Sequence, residues 1–424
     1  MKEYRDKHSQ YLFPCVSNYY QEPLVMERGE GLYLYDLDGK QYLDFFGGIL
    51  TVSVGHCQLD ITGRTIEQLR KLQHTSTLYQ TRPIIALAEK LAAITPGRLQ
   101  KSFFTNSGTE ANETAVVLAQ IATGRREVVA LRHSYSGRSV TAMALTGNSA
   151  WKTCGSSVPG VVHAHSPYCY RCAFGKRYPD CDLDCARDLD ELIMTSTSGS
   201  IAAFIAEPIQ GVGGFITPPL EYFREVLPII RKYGGLFISD EVQTGFGRTG
   251  GKWWGIEHYG VEPDIITFAK GAANGLPVGG TVALPEIADK LTGLSISTFG
   301  GNPVCSTAAL ATIEAIEQES LMENSAVVGG YLREKLNELQ ERFPVIGDVR
   351  GMGLMQAMEL VGEAGQPNPG AVNRLFEDTK KYGILIGKGG LYGNVIRLAP
   401  PMTVGKPEVD TAVKILEESF KDIG

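Results

Sequence analysis

The chain has 424 residues, 43% of them hydrophobic and 21% charged, with 49 glycines and a formal charge of -7. That length exceeds one simple core and sets an expectation of two domains. The acidic balance leaves no basic footprint for a nucleic acid, and no apolar run reaches the roughly 18 residues of a membrane span. The opening stretch Met1–Gln10 is polar and charged, without the apolar core of a secretory signal or the acid-poor, Arg-rich character of a transit peptide. A cytoplasmic protein with no nucleic-acid and no membrane partner is the expectation.

In chain order, Gly31–Tyr35 and Gln41–Phe45 flank Asp36-Leu-Asp-Gly-Lys40 and read as a hairpin with an Asp-Gly turn. From about residue 100 to 300, short apolar runs alternate with helix-like stretches, the pattern of an α/β sheet. Strands are predicted at Lys101–Thr105, Glu127–Leu131, Ile201–Ala206, Leu236–Ser239 and Ile265–Ala269. Helices are predicted at Asn112–Thr123 and Glu221–Tyr233, where Pro228 implies a kink or a break. Further strands are predicted at Asp348–Leu360 and Gly383–Ile386, a surface loop at Gly362–Gly370, and a closing helix at Pro407–Phe420. The expected fold is a large α/β domain over 66–305, with a smaller α+β domain built from both chain ends, 1–65 and 306–424.

Lys270 follows the apolar run Ile265-Ile-Thr-Phe-Ala269, at the carboxyl end of a strand, where open α/β sheets bind ligands. Desolvation there lowers an amine's pKa and makes it a nucleophile toward an aldehyde. A solvated lysine is the plain alternative, so Lys270 needs partners. Asp240 ends the apolar strand one unit earlier and reaches the same crevice; its ordinary role would be a helix N-cap or loop acid. With Glu241 it also admits a metal, but no histidine lies close in sequence. Asn106-Ser-Gly-Thr-Glu110 stands between a strand and an Ala-rich helix, where backbone N–H groups and hydroxyls make a phosphate cup; Ser107 or Thr109 would serve equally as a helix cap. A lysine, a carboxylate to protonate a pyridine nitrogen, and a phosphate cup together fit pyridoxal 5'-phosphate (PLP).

Asp240-Glu-Val-Gln-Thr-Gly-Phe-Gly-Arg-Thr249 and Pro263-Asp-Ile-Ile-Thr-Phe-Ala-Lys-Gly271 closely resemble the class III PLP-dependent aminotransferases. Shorter pieces, among them Thr51-Val-Ser-Val-Gly-His-Cys57 and Val345-Ile-Gly-Asp-Val-Arg-Gly351, are most similar to the mitochondrial-type alanine–glyoxylate branch. The resemblance implies the type I PLP-dependent transferase fold and a homodimer or dimer of dimers with sites at the subunit interface. It implies that Lys270 carries PLP as a Schiff base, Asp240 faces the pyridine nitrogen, and Ser107, Gly108 and Thr109 cradle the phosphate. Tyr135 and Val242 would cover the two ring faces, Gln243 would bond the ring hydroxyl, and Glu207 would support the pocket. Thr298 would reach the phosphate of the neighbouring subunit's PLP. Ser136 departs from the family's usual His in a Tyr-His-Gly motif, which touches local hydrogen bonding and not the stacking.

Arg397, in Ile396-Arg-Leu-Ala-Pro-Pro401, matches the family arginine that grips a substrate carboxylate, a role that suits a guanidinium fork. Relatives acting on ornithine or 4-aminobutyrate carry a Glu where Val212 stands. Val212 cannot pair with Arg397, which implies donors such as alanine, short β- or ω-amino acids or amines, with pyruvate or glyoxylate as acceptor, in a ping-pong reaction with Lys270 as the general base. The alternative is a PLP-dependent lyase acting on phosphorylated amines.

The motif Cys169-x2-Cys172-x8-Cys181-x3-Cys185 has spacings that a zinc site could use, although the family requires no metal and free thiols serve as well.

Overall fold

The computed structural model describes residues 1–424 apart from 17, 156, 157, 422 and 424. The N-terminal strands are β1 (Met26–Glu30), β2 (Tyr33–Asp36) and β3 (Gln41–Asp44). The Asp-Gly hairpin is β2–β3, with Asp36 Oδ1 accepting from the Asp38 and Lys40 amides at 3.0 and 2.9 Å. The central strands are β4 (Lys101–Thr105), β5 (Val128–Leu131), β6 (Val161–Ala164), β7 (Ala203–Ala206), β8 (Leu236–Asp240), β9 (Ile265–Phe268) and β10 (Gly279–Ala283). They form one seven-stranded sheet in the order β4-β10-β9-β8-β7-β5-β6. All run parallel except β10, which is antiparallel to both its neighbours.

β5, β7 and β9 are buried along their whole length, and β8 from Phe237 onward, as apolar runs covered on both faces must be. Phe237 illustrates the packing: it is 1% exposed, stacks on Phe223 at 5.5 Å between centroids, and lies 6.0 Å from Phe204. One apolar cluster contains Phe45, Phe204, Trp254, Leu398 and Phe420, so both chain ends share the core of the central sheet.

The C-terminal strands are β11 (Ile346–Met352), β12 (Met355–Leu360), β13 (Ile384–Leu385), β14 (Gly387–Gly389) and β15 (Val395–Leu398). Here the expectation of one strand over Asp348–Leu360 is corrected to a hairpin. Gly353 turns the chain at φ +52°, and a Cβ there would lie 2.4 Å from the Thr249 carbonyl carbon, so the turn needs glycine. β13 joins the N-terminal sheet beside β3, while β11-β12-β15-β14 form a third sheet.

The helix after β4 starts at Gly108, four residues before the predicted Asn112. The helix Tyr222–Lys232 continues through Pro228 without a break. The predicted loop Gly362–Gly370 ends early, because Asn368 caps a helix over Pro369–Tyr382. No helix among the described residues is long and apolar enough to cross a membrane. Replacing Phe237 by Ala should cost about 3–5 kcal/mol through lost transfer energy and a residual cavity. Calorimetry should then record a clearly lower melting temperature; an unchanged one contradicts this packing.

Candidate active site

The carboxyl ends of β4, β5, β7, β8 and β9 converge on a cavity of about 160 Å³. Gly108, Thr109, Asn112, Tyr135, Ser136, Gly137, Glu207, Asp240, Val242, Gln243 and Lys270 line it. Most of the sequence-predicted site residues therefore meet in one place.

Lys270 leaves β9 at φ +43°, a left-handed conformation that costs a non-glycine residue about 1–2 kcal/mol. Such strain persists only where the surroundings over-determine it. Burial lowers the pKa of the amine, Asp240 and then Glu207 oppose that shift, and Arg397 adds to it. Asp240 is 3% exposed and held at both oxygens: Asn112 Nδ2 donates to Oδ2 at 2.7 Å and the Val242 amide to Oδ1 at 3.1 Å. Burial raises its pKa against those bonds and the charge of Lys270. Glu207 accepts from the Tyr135 amide at 3.0 Å and the Gly211 amide at 2.8 Å; burial, then the Asp240 charge, pushes its carboxyl upward.

Glu241 takes no part in the cavity. It accepts from the Gly255 and Ile256 amides at 2.8 Å each and from the Thr244 and Ser239 hydroxyls, so the paired-carboxylate metal reading gains nothing from it.

Ser107 is the helix cap, its Oγ accepting from the Glu110 amide at 3.2 Å. Thr109 Oγ1 accepts from the Arg138 amide at 3.3 Å, which ties the cup to the loop carrying Tyr135. A Cβ on Gly108 would lie 2.9 Å from Val242, so glycine lets the helix start press on the wall of the cavity. Thr298 is exposed and does not line this chain's cavity.

Arg397 is 3% exposed, and its guanidinium meets carbonyls and aromatic faces. Nε donates to the Lys388 carbonyl at 2.9 Å and Nη1 to the Gly211 carbonyl at 3.2 Å. Its guanidinium carbon lies 4.8 Å from the Phe46 centroid and 5.5 Å from that of Phe215. Among the described residues no carboxylate forms an ion pair with it.

Sequence reasoning missed Asn112, which joins Asp240, the Ser136 carbonyl (3.0 Å) and the Thr267 hydroxyl (2.7 Å). The signal was present, since Asn112 lies one helical turn beyond Thr109 and so on the same face.

All eight cysteines are free. Burial, then the neighbouring thiols, pushes Cys169 up to about 11 and Cys185 up to about 12, so both stay protonated near neutrality. Among the described residues no three His, Cys, Asp or Glu side chains are placed to hold a metal ion, so the zinc spacing of Cys169, Cys172, Cys181 and Cys185 is not matched by a converged ligand set.

The family profile described as aminotransferase class-III matches residues 16–420. The chain belongs to the class-III aminotransferases. It is similar to alanine–glyoxylate aminotransferase 2 homolog 2, mitochondrial, of Arabidopsis thaliana, at 44% identity over 98% of this chain and 86% of the relative. An amine transaminase from an uncultivated Pseudomonas species, solved in its PLP-bound form, superposes with a TM-score of 0.92 at 33% identity, covering 98% of this chain and 99% of that one. A phospholyase from Arthrobacter, in complex with phosphoethanolamine, superposes at 0.91 with 30% identity, over 99% of this chain and 100% of that one. The fold is thus that of the PLP-dependent transaminases, and the class-III aminotransferase described here is a PLP-dependent transaminase.

The cavity fits that cofactor. Gln243 Oε1 is buried without a partner, an acceptor left for a bound donor, and an unmet buried acceptor is costly. A Cβ on Gly211 would come within 2.3 Å of the Gln243 amide, so the backbone is built close around that side chain.

Arg397 lowers the Lys270 pKa by its charge, so Arg397→Met should raise the pH at which Lys270 sheds its proton. Labelling of the apoenzyme with formaldehyde and cyanoborohydride, with Lys270 followed by mass spectrometry, should show a pH profile displaced upward. An unmoved or downward profile contradicts the electrostatics.

Proposed function

We propose that this transaminase moves an amino group from alanine, a short β- or ω-amino acid or an amine to pyruvate or glyoxylate, in two half-reactions at one site. The observation that carries the substrate reading is Arg397, a buried cation facing carbonyls and rings with no carboxylate of its own among the described residues. Leaving such a charge unpaired costs several kcal/mol, and a substrate carboxylate relieves it with two parallel bonds. Val212 supports the same reading. Its carbonyl accepts from the Gly390 amide at 2.9 Å, beside the strand that receives Arg397 Nε, and its side chain has no charge with which to occupy the guanidinium.

The residues in and beside the cavity then divide the work. Lys270 Nζ would bind the cofactor and, once freed, move the proton at the donor carbon; burial lowers its pKa, the direction that favours the neutral amine both tasks use. PLP, when bound, supplies the electron sink for that proton transfer. Asp240, fixed by Asn112 and the Val242 amide, keeps a carboxylate at the pyridine nitrogen. Ser107, Gly108 and Thr109 hold the phosphate at a helix start. Tyr135 and Val242 take the two ring faces, Gln243 the ring hydroxyl, and Glu207 holds the amides of Tyr135 and Gly211 in place.

A homodimer, or a dimer of dimers, is part of the proposal. Thr298 is flanked by the exposed apolar side chains Leu294, Ile296 and Phe299, a surface that a second copy would cover while Thr298 reaches its phosphate. The division into 1–65 with 306–424 and 66–305 is proposed on the same footing. Free thiols support a reducing compartment, and we place the enzyme in the cytoplasm, whereas the Arabidopsis relative is named mitochondrial; fractionation distinguishes the two.

The test is a donor panel of alanine, β-alanine, 3-aminoisobutyrate, 4-aminobutyrate and simple amines, each against pyruvate and glyoxylate. Transfer from alanine or a short β-amino acid, lost in Arg397→Met by about 10²-fold in kcat/KM for carboxylated donors, is the expected result. Phosphate release from phosphoethanolamine without a keto acid would replace the proposal with the lyase reading.

A further inference from the structure

Arg350 lies on β11, 8% exposed, with its guanidinium committed on every side. Nε donates to the Gly214 carbonyl at 2.8 Å. Nη1 donates to Asp348 at 2.7 Å and to Glu359 at 2.8 Å, and Nη2 to the Tyr168 hydroxyl at 3.1 Å. Glu359, on β12, is fully buried and accepts on both oxygens, from Tyr168 and Arg350 on one and from Arg171 and Asn394 on the other. Burial pushes its carboxyl up, but the Arg350 charge and the bonds from Tyr168 and Arg171 outweigh burial and hold it below its ordinary value. This is a closed ion cluster, and one of its donors leaves it toward the active site.

That donor is Nε. Gly214, which it holds, closes a turn back to the Gly211 carbonyl at 3.1 Å. The Gly211 carbonyl also receives Arg397 Nη1, and the next carbonyl in the turn, Val212, receives the Gly390 amide two residues beyond Lys388, whose own carbonyl receives Arg397 Nε. Both backbone supports of the Arg397 guanidinium thus trace to a turn pinned by Arg350. The fit is tight: a Cβ on Gly214 would meet Val395 at 2.9 Å and Arg350 Nη2 at 3.1 Å. Tyr168 and Arg171 come from the start of the cysteine-bearing loop, so that loop braces the same cluster.

We propose that Arg350 is a positioning residue for carboxylate recognition: through Gly214 it fixes the 211–214 turn so that Arg397 faces the substrate. The inference rests on the reading of Arg397 as the carboxylate site. A purely structural ion cluster would affect every property of the site together. A positioning role affects carboxylate binding and leaves cofactor binding and the chemical step alone.

The holoenzyme is mixed with alanine in single-turnover half-reactions, and the cofactor's absorbance gives an apparent dissociation constant and a limiting rate. Propionate, a carboxylate without an amine, is measured as a competitor, and PLP affinity is measured by equilibrium dialysis. In Arg350→Met, the alanine and propionate constants should rise together by about tenfold, as expected of a displaced binding group. The limiting rate and PLP affinity should stay within about threefold, and Arg350→Lys should recover part of the loss. Tyr168→Phe, which keeps the ring, should give a smaller rise in the same direction and serves if the methionine variant does not fold. Unchanged alanine and propionate constants, or a parallel loss of PLP affinity, overturn the proposal. Arg397→Met is the control: if propionate binds it normally, the reading of Arg397 fails instead.

Discussion

Burial works against the charges on Lys270, Asp240 and Glu207 alike, yet all three share one crevice. Each carboxyl favours the charged amine, and the amine favours both carboxylates, so opposite charges partly offset what desolvation costs. The arrangement holds only while the three stay in register. Asn112 and the Val242 amide fix Asp240, while Glu207 is held by the Tyr135 and Gly211 amides. Lys270 is held by a backbone twisted into the left-handed region.

The sheet supplies that register. Because β4, β5, β7, β8 and β9 are parallel, their carboxyl ends lie on one edge, and each delivers a different chemical group there. Arg397 comes from the third sheet, so the proposed carboxylate-binding group and the proposed cofactor groups belong to separate layers that meet at the Gly211 carbonyl. The buried Arg350–Glu359 pair lies at their junction, where Arg350 holds the Gly214 carbonyl.

Much of this was legible in the sequence, for physical reasons. Apolar runs ending in polar residues marked β8 and β9 to within a residue, since strands buried on both faces have little freedom in composition. Strand β10 was missed because Gly279-Gly-Thr-Val-Ala283 begins with residues that ordinarily weaken a strand. The β11–β12 turn was hidden because Gly353 meets Thr249, about a hundred residues away, and only the fold brings them together. The N-terminal helix Lys2–Tyr11 buries no side chain and carried no periodic signal. Asn112 was recoverable from helical spacing. The Tyr168, Arg171, Arg350 and Glu359 cluster was not, because its members come from distant segments and charged residues in sequence are by default solvated.

The central claim is that the amine at the end of β9 carries the cofactor. Borohydride reduction of the holoenzyme, followed by digestion and mass spectrometry, tests it most directly. A stable pyridoxyl modification is expected on the peptide containing Lys270, and on that lysine alone. A modification on another lysine, or none on a holoenzyme that is fully active before reduction, would contradict it.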